Sequence, residues 1–229
     1  FNVFEKIAEK FNTSIICHNL NFVKASNFNL LISIFKEDFK YRLKLLLKEG
    51  LLRKSYAYKK AKNLKNKEEK IAKEKYNNLP IFYTKFFDKP DNEKFTIVIP
   101  GAVSQKRRNY DKIIKELSIS TSLNVTKFEI IFLGKAQGKE LEMLQNFEQN
   151  KPENISIKYF TEKVPQNIFN DYMQKANILW CPIQQETEFF SQKEIYGITK
   201  MSGNIGDAIK FGKLAIFPEN YPSKYAFII

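Results

Sequence analysis

The sequence has only two cysteines among its 229 residues, and they lie far apart at Cys17 and Cys181. This excludes a disulfide scaffold and a zinc site built from cysteines, and it fits a reducing compartment, so we expect a cytoplasmic protein. No apolar run reaches the roughly 18–20 residues that a membrane-spanning helix needs, which excludes an integral membrane protein of that kind. The opening segment, FNVFEKIAEK, is amphipathic and charged, so we expect no signal peptide.

Arginine is scarce, although the chain is strongly basic. The net charge is +13, yet only four of the 38 basic residues are arginine. A high positive charge indicates attraction to nucleic acid, acidic lipid headgroups or nucleotide phosphates. Readers of nucleic acid favour arginine for bidentate contacts, so nucleic acid is the least expected of these partners. An AT-rich genome would also enrich Lys, Asn and Ile, which explains part of the excess.

Several motifs of known chemistry are missing. There is no GxGxxG after a strand and no Walker-type GK[ST], so we expect no dinucleotide cofactor. There is no DxD and no cluster of His and Cys, so we expect no catalytic metal. His18 is the only histidine and no GxSxG is present, which argues against a serine hydrolase.

Short apolar strands alternate with amphipathic helices along the chain. Before residue 80, the pattern predicts a helix over 1–10, a strand over 14–17, and helices over 36–62 and 68–76. After residue 94 the alternation is more regular. It predicts the strands FTIVIP, FEIIFLG, ISIKYF, NILWCPI and KLAIFP, the helices 109–117, 139–147, 165–176 and 204–211, and a polar loop over 184–193.

Continuous apolar strands separated by helices are typical of parallel β-α-β units with both sheet faces covered. We therefore predict an α/β protein with two Rossmann-like domains, over 1–87 and 95–229, joined by a linker at 88–94. The chain starts at Phe1 and stops inside the apolar run YAFII, so we expect a fragment. Its N-terminal domain would be incomplete and its C-terminal domain nearly complete.

Between Lys36 and Lys75 the sequence holds 15 basic and six acidic residues. This segment predicts a surface helix, or two helices broken near Gly50, with a basic face. That face is either solvated or rests on anionic lipid.

Three features stand where strands end, which is where ligands bind in open α/β sheets. The first is a turn that begins at Gly101 and carries three consecutive cations, which suits a diphosphate. The second is a long loop from Glu194, rich in glycine, before a helix that carries Asp207; free N–H groups there suit an anion and the carboxylate suits a ribose. The third is His18. Each could instead be structural: a solvated turn, a capped helix, or a lone histidine.

In this order, the landmarks resemble the GT-B glycosyltransferases, most closely the Leloir enzymes that build bacterial polysaccharides and glycolipids. The resemblance covers roughly residues 95–220. It lies in FTIVIPGAVSQKRRNYDKIIKEL, FEIIFLGKAQGKELEML, the segment from ISIKYF to NILWCPI, EIYGITK and DAIKFGK.

The resemblance implies that a nucleotide-activated sugar binds the C-terminal domain and that a sugar or lipid-linked acceptor binds the N-terminal one. It implies hexosyl transfer from a nucleoside diphosphate sugar to an acceptor hydroxyl, without a metal. The residues it assigns to catalysis are His18, Arg107 and Glu194. Those it assigns to donor binding are Gly101, Lys106, Arg108, Gly134, Tyr196, Gly197, Ile198, Thr199, Lys200 and Asp207.

Two departures from the family pattern keep other functions open. Ala102 stands where the family has arginine, and Ser202 stands where it has the second acid, so Asp207 comes five residues late. The chain could therefore be an inactive nucleotide-sugar-binding module. It could also be a basic protein that binds membrane or nucleic acid.

Overall fold

The computed structural model describes residues 6–7, 10–11, 19–24, 39–55, 58–59, 92–119, 127–190, 192–222 and 225–229. Within them the helices are α1 (Leu20–Lys24), α2 (Phe39–Arg53), α3 (Tyr110–Ile119), α4 (Lys139–Asn150), α5 (Gln166–Lys175) and α6 (Gly203–Phe211). The strands are β1 (Phe95–Pro100), β2 (Phe128–Lys135), β3 (Ile155–Phe160), β4 (Ile178–Trp180), β5 (Glu186–Phe189), β6 (Gln192–Ile195) and β7 (Leu214–Ile216).

The chain divides into two compact units. One comprises residues 1–79 with 186–201, and the other comprises 80–185 with 202–229; we call the second the sheet unit. The sequence places 186–201 in the C-terminal domain, whereas the contacts group this segment with the N-terminal residues. The predicted boundaries at 87 and 95 stay a prediction, since nearly all residues from 56 to 91 lie outside the described part.

The sheet unit contains a five-stranded sheet in the order β3-β2-β1-β4-β7, and every strand pair in it is parallel. The chain moves outward from β1 to β3 and then returns to place β4 on the other side of β1. Strand order therefore reverses between β1 and β4, which is the switch point where α/β sheets bind ligands. This arrangement confirms the predicted α/β class and the Rossmann-like character of this unit.

Apolar residues on both faces explain why this sheet is buried. Ile99 and Phe132 pack in one cluster with residues of α3 and α4, including Ile113 and Leu144. Strand residues that alternate with these, such as Ile131, point the other way and are equally buried. Helix α5 packs against β1, and α6 buries its own apolar side. Covered faces are what continuous apolar strands require.

Helix α6 ends where the sequence predicts that it ends. Gly212 adopts a left-handed conformation with φ of 61°, and its N–H donates to the carbonyls of Ala208 and Ile209. The next residue, Lys213, is buried and donates from Nζ to the carbonyl of Gln174 at 2.7 Å. This bond satisfies a carbonyl in the last turn of α5 and fixes that helix to the start of β7.

The other unit holds α1, α2 and the antiparallel hairpin of β5 and β6. Phe22 of α1 lies at its centre, with ring centroids 5.2 Å from Phe189, 5.5 Å from Phe190 and 5.8 Å from Tyr58. An isolated two-stranded hairpin is marginal in water, so this aromatic contact with α1 holds the hairpin in place.

The predicted polar loop over 184–193 is wrong, because most of it forms β5 and the start of β6. The segment ETEF alternates exposed and half-buried side chains, a two-residue period that its polar composition hides. Helix α2 continues through Gly50, so the alternative of two helices broken there is also wrong. The strand over 14–17, the helix over 68–76 and most of the helix over 1–10 lie outside the described residues. No helix among the described residues is long and apolar enough to cross a membrane.

Candidate functional site

The switch point of the sheet is framed by two turns that hold each other. The β1 turn comprises residues 101–109, and the β4 turn comprises residues 181–185. The N–H of Asn109 donates to the carbonyl of Pro182 at 2.9 Å, and the N–H of Gln184 donates to the carbonyl of Arg107 at 2.9 Å. These backbone bonds set the direction in which the cations of the β1 turn leave the sheet.

Two glycines allow the β1 turn to pack closely against its surroundings. Gly101 has φ of 103°, a conformation that side-chain-bearing residues rarely adopt. A Cβ placed on Gly101 would overlap the guanidinium of Arg108, and a Cβ placed on Gly134 would overlap the carbonyl of Gly101. Both predicted site glycines therefore contact the β1 turn: Gly134 leaves space for its backbone, and Gly101 leaves space for the Arg108 side chain.

Arg108 lies over Gly101 and links the β1 turn to helix α6. Its Nη1 donates to the carbonyl of Ala102 at 3.3 Å, and its Nη2 donates to Oδ1 of Asn204 at 3.2 Å. Its Nε is buried without a hydrogen-bond partner. No carboxylate of the described residues forms an ion pair with it. The half-buried guanidinium thus has room for a further charged hydrogen bond, which favours an anion at this place.

The two preceding cations lie further out. Lys106 and Arg107 are both exposed, whereas Arg108 is half-buried. The resemblance assigns the diphosphate contact to Arg107. Exposed charges are screened by water and salt, so the geometry gives Arg108 the stronger field of the three. The role of Arg107 stays a prediction.

The start of helix α3 is already closed by the turn before it. Oε1 of Gln105 accepts the N–H groups of Tyr110 at 2.9 Å and Asp111 at 3.3 Å, and Oδ1 of Asn109 accepts the N–H of Lys112 at 3.1 Å. In many Rossmann folds this helix start binds phosphate through free N–H groups. Here those groups are occupied, so anion affinity at the β1 turn depends on its cations.

Asn204 is a site residue that the sequence reasoning missed. It is buried in the first turn of α6, where its Nδ2 donates to the carbonyl of Pro100 at 3.3 Å and its Oδ1 accepts from Arg108. Ser202 caps the same helix by accepting the N–H of Asn204 at 3.2 Å. A Ser two residues before an Asn is a helix-start signal, but nothing in the sequence shows that this Asn reaches β1.

Asp207 is a half-buried residue of α6 whose carboxyl interacts with the charge of Arg108. Burial raises the pKa of Asp207 to about 6, although the positive charges of Lys210 and Arg108 oppose the rise. The thiol of Cys181 is buried, and burial raises its pKa. The charges of Arg108 and Asp207 both act on this thiol as well. The structure therefore brings together Gly101, Gly134, Arg108 and Asp207, four of the predicted donor-site residues, in one unit. A carboxylate with a raised pKa in such a place is typical of functional sites.

Glu194 belongs to the other unit, where it is fully buried at the start of α1. Its Oε1 accepts the N–H of Phe22 at 2.8 Å, and its Oε2 accepts the N–H of Asn21 at 3.3 Å. The carboxylate therefore satisfies N–H groups in the first turn of a helix and lies near the positive end of its dipole. Its predicted contact with a donor sugar stays a prediction, and that contact would require these bonds to be exchanged.

The donor loop, residues 194–200, is a tight turn closed by its own backbone. The N–H groups of Ile198 and Thr199 donate to the carbonyl of Ile195 at 3.1 and 2.9 Å, and the N–H of Gly197 donates to the carbonyl of Lys200 at 2.9 Å. The resemblance implies that the backbone of residues 196–199 binds a diphosphate. The described conformation uses them internally, so a phosphate would have to replace these bonds.

Lys200 and Tyr196, two further predicted donor-site residues of this unit, lie beside each other. The ammonium of Lys200 contacts Oδ1 of Asn19 and lies over the ring of Tyr196, 5.8 Å from its centroid. His18 lies outside the described residues, and its predicted catalytic role is untested.

The position of Glu194 gives a direct prediction about stability. Glu194→Ala removes the acceptor of two buried or half-buried N–H groups and is expected to lower the free energy of unfolding by about 1–3 kcal/mol. Glu186→Ala, an exposed glutamate on the same hairpin, is expected to change it by less than about 0.5 kcal/mol. Urea unfolding followed by circular dichroism measures both. Equal midpoints for the two variants would contradict a capping role for Glu194.

Comparisons with known proteins come from three searches. No protein-family model matches the chain. No curated protein sequence matches it. A solved structure that it resembles is the pneumococcal O-GlcNAc transferase GtfA in complex with UDP and GlcNAc, at 13% identity and a TM-score of 0.38. The match covers 72% of this chain and 29% of that one, so the chain spans less than a third of the length of the structure it resembles.

Proposed function

We propose that the chain is the donor-binding part of a glycosyltransferase that moves a hexosyl group from a nucleoside diphosphate sugar to an acceptor hydroxyl. The observation that carries the proposal is the presence, at the switch point of the sheet, of the half-buried Arg108, which forms no ion pair among the described residues, with the half-buried carboxylate of Asp207 close enough to interact with its charge. A cation and a carboxylate at this place suit the two ends of a nucleoside diphosphate. The family landmarks in the sequence support the same function.

Sugar transfer requires stabilisation of the leaving group, which is the nucleoside diphosphate. When the bond from the sugar to the diphosphate breaks, negative charge grows on the diphosphate oxygen. Arg108 would stabilise this charge with its half-buried guanidinium, and the exposed Lys106 and Arg107 would add a weaker positive field from the same turn. Donors aimed at developing charge contribute about 2.7–4 kcal/mol each to the transition state. These cations can supply the charge that a divalent metal supplies elsewhere, so the proposed mechanism needs no metal.

Asp207 would fix the other end of the donor. An ionised carboxylate can accept both hydroxyls of a ribose, which orients the nucleoside while Arg108 holds the diphosphate. In the proposed mechanism, the predicted catalytic residues His18 and Glu194 act on the sugar and not on the nucleotide.

A second function, nucleotide-sugar binding without turnover, is favoured by the state of Glu194. That carboxylate is fully buried and already accepts two backbone N–H groups, so it is not poised to contact a sugar. Measured sugar transfer from a nucleoside diphosphate sugar would exclude this alternative. Nucleic-acid binding, the third possibility from the sequence, would show affinity that falls steeply with salt and no preference among nucleotides.

We further propose that the acceptor is a polysaccharide or lipid-linked sugar, and that the reaction takes place in the cytoplasm at the inner face of the plasma membrane. The few cysteines and the large positive charge support this location.

The experiment that tests the donor site is thermal stabilisation of the full chain by UDP, GDP, ADP and CMP. We expect one diphosphate to stabilise it selectively. Arg108→Gln is expected to weaken that binding about 10- to 100-fold, because a charged hydrogen bond contributes about 1.5–3 kcal/mol. Arg108→Lys, which keeps the charge, should recover part of the loss.

Two matched variants separate the site from net charge. Arg107→Gln removes an exposed cation of the same turn and should weaken binding less than Arg108→Gln. Lys115→Gln removes an exposed cation of α3 and should leave binding unchanged. If Arg108→Gln folds and binds the diphosphate as the wild type does, or if none of the four nucleotides stabilises the chain, the proposal is wrong.

A further inference from the structure

Helix α2 exposes a row of leucines. Leu43, Leu47 and Leu51 are spaced four residues apart, so they lie along one side of the helix. Their side chains are 41, 67 and 67% exposed. Single exposed leucines are common on protein surfaces. Three along one side of a helix form a continuous apolar strip, whose exposure to water is unfavourable.

The opposite side of α2 places charged side chains in the interior of its unit. Glu49 is only 1% exposed. The guanidinium of Arg53 lies over the ring of Phe22, 4.7 Å from its centroid, and over the ring of Tyr58 at 5.1 Å. The fold therefore buries an acid and stacks an arginine while it leaves leucines outside. The inward side also carries Leu45, Leu46 and Leu52, which are half-buried, so α2 already has an apolar inward side and the exposed leucine strip is a second one.

A row of lysines runs beside the leucines. Lys40, Lys44 and Lys48 each precede one of the three leucines by three residues, and all three are exposed. The only acid in α2 is the buried Glu49, so the described exposed side of the helix is purely cationic around its apolar strip. The surrounding sequence adds to this charge, with 15 basic and six acidic residues between positions 36 and 75.

We propose that this face of α2 docks on an anionic lipid bilayer, with the leucines in the headgroup boundary and the lysines against the lipid phosphates. Charge complementarity selects this occupant. An apolar strip edged by lysines, with no exposed acid in α2 itself, matches a surface that offers acyl chains under a layer of negative charge. A second copy of the chain would bring the same lysines together and repel. This inference assigns the membrane location proposed above to one helix face, and the vesicle test below decides it separately from the sugar transfer.

Co-sedimentation of the full chain with lipid vesicles tests the proposal. We expect binding to vesicles of phosphatidylcholine mixed with phosphatidylglycerol, weaker binding at high salt, and little binding to phosphatidylcholine alone. Lys40, Lys44 and Lys48 changed together to Gln should lower the partition constant about 100-fold, since each lysine near such a surface is worth roughly fivefold. Leu43, Leu47 and Leu51 changed together to Ser should lower it about 10- to 100-fold at unchanged charge.

Matched variants make the result specific to this helix. The triple change of Lys115, Lys139 and Lys163 to Gln removes the same charge from exposed positions of the sheet unit. The double change of Ile119 and Leu214 to Ser removes apolar side chains that are 65 and 50% exposed there. Both should bind vesicles nearly as the wild type does.

Three results would overturn the proposal. One is a wild type that ignores anionic vesicles. Another is a sheet-unit lysine variant that loses as much binding as the α2 lysine variant, which would mean that net charge alone attracts the chain. The last is a dimer in light scattering that the leucine variant dissociates, which would assign the strip to a second copy. Circular dichroism of each variant confirms that it is folded.

Discussion

Replacing Gly134 with alanine is expected to destabilise the sheet unit strongly. Gly134 is buried near the end of β2, and the space where its Cβ would lie is filled by the carbonyl and the following amide of the β1 turn. Those atoms are backbone, held by the bond from the N–H of Gly101 to the carbonyl of Leu133 at 3.0 Å. They cannot rotate away, so β2 or the turn must shift. Overpacking of this kind costs about 1–3 kcal/mol.

The same change should also damage the proposed donor site. A β1 turn displaced from Gly134 would move Gly101, and with it the guanidinium of Arg108 that lies over it. We expect Gly134→Ala to lose stabilisation by nucleoside diphosphate at temperatures where it is still folded. Urea unfolding of the full chain measures the stability, and thermal shift with the nucleotide measures the site.

Gly203→Ala provides the control for Gly134→Ala. Gly203 is exposed in the first turn of α6, and an added Cβ there would meet open space. Because alanine favours a helix over glycine, this variant should be as stable as the wild type or gain up to about 1 kcal/mol. Equal unfolding midpoints for Gly134→Ala and the wild type would mean that the turn tolerates the methyl group and that its close packing does not position Arg108.

Much of the sheet unit could be predicted because its signals are local. The apolar runs FTIVIP and FEIIFLG are long enough to identify β1 and β2, and the glycine at 212 identifies the end of α6. These features depend on a few neighbouring residues, so the sequence contains them directly. The strand order β3-β2-β1-β4-β7 is different, because the right-handed crossover rule fixes the face that each connecting helix covers and leaves the order of the strands open.

What the sequence could not show depends on partners far away in the chain. Glu194 is polar and stands in a loop-like segment, yet it is buried because the N–H groups of α1, more than 170 positions earlier, need an acceptor. Gln105 reads as one more polar residue of the β1 turn, but it closes helix α3 and removes the expected amide site. In both cases the decisive contact is a hydrogen bond to backbone, which side-chain patterns do not reveal.

The three consecutive cations of the β1 turn show the same limit of prediction from sequence. Lys106, Arg107 and Arg108 are equivalent in the sequence, and the family spacing selects Arg107. In the structure the third of them turns back over Gly101, because glycine leaves room there and Asn204 accepts from its guanidinium. A difference of one position thus separates an exposed cation from a half-buried one.

Asp207→Asn is expected to stabilise the empty protein at neutral pH and at the same time to abolish selective nucleotide binding. Burial raises the pKa of Asp207 to about 6 from an ordinary value of 3.8. The folded state therefore holds the proton more tightly than the unfolded state does. Stability from this group is complete below about pH 4 and is lost as the pH rises through about 6. At neutral pH the ionised carboxylate opposes folding by on the order of 1–3 kcal/mol, and asparagine removes that term.

The stability gain must therefore depend on pH in one direction. The Asn variant and the wild type should unfold at similar urea concentrations near pH 4, and the variant should become the more stable one between pH 4 and 7. Asp111→Asn, which removes the same charge from an exposed position on α3, should show no such divergence. A constant difference across this range, or an Asn variant less stable at neutral pH, would contradict the raised pKa of Asp207.

Nucleotide binding should follow the opposite course. Ribose hydroxyls donate hydrogen bonds, and an ionised carboxylate can accept both, so wild-type stabilisation by the preferred diphosphate should grow as the pH rises past about 6. The Asn variant should lack this increase, because its amide can accept through one oxygen only and carries no charge. Stability gained and binding lost in one variant is the signature of a carboxylate retained for a ligand rather than for the fold. An Asn variant that is more stable and still binds the diphosphate fully would leave Asp207 without a part in the donor site and would place the ribose elsewhere.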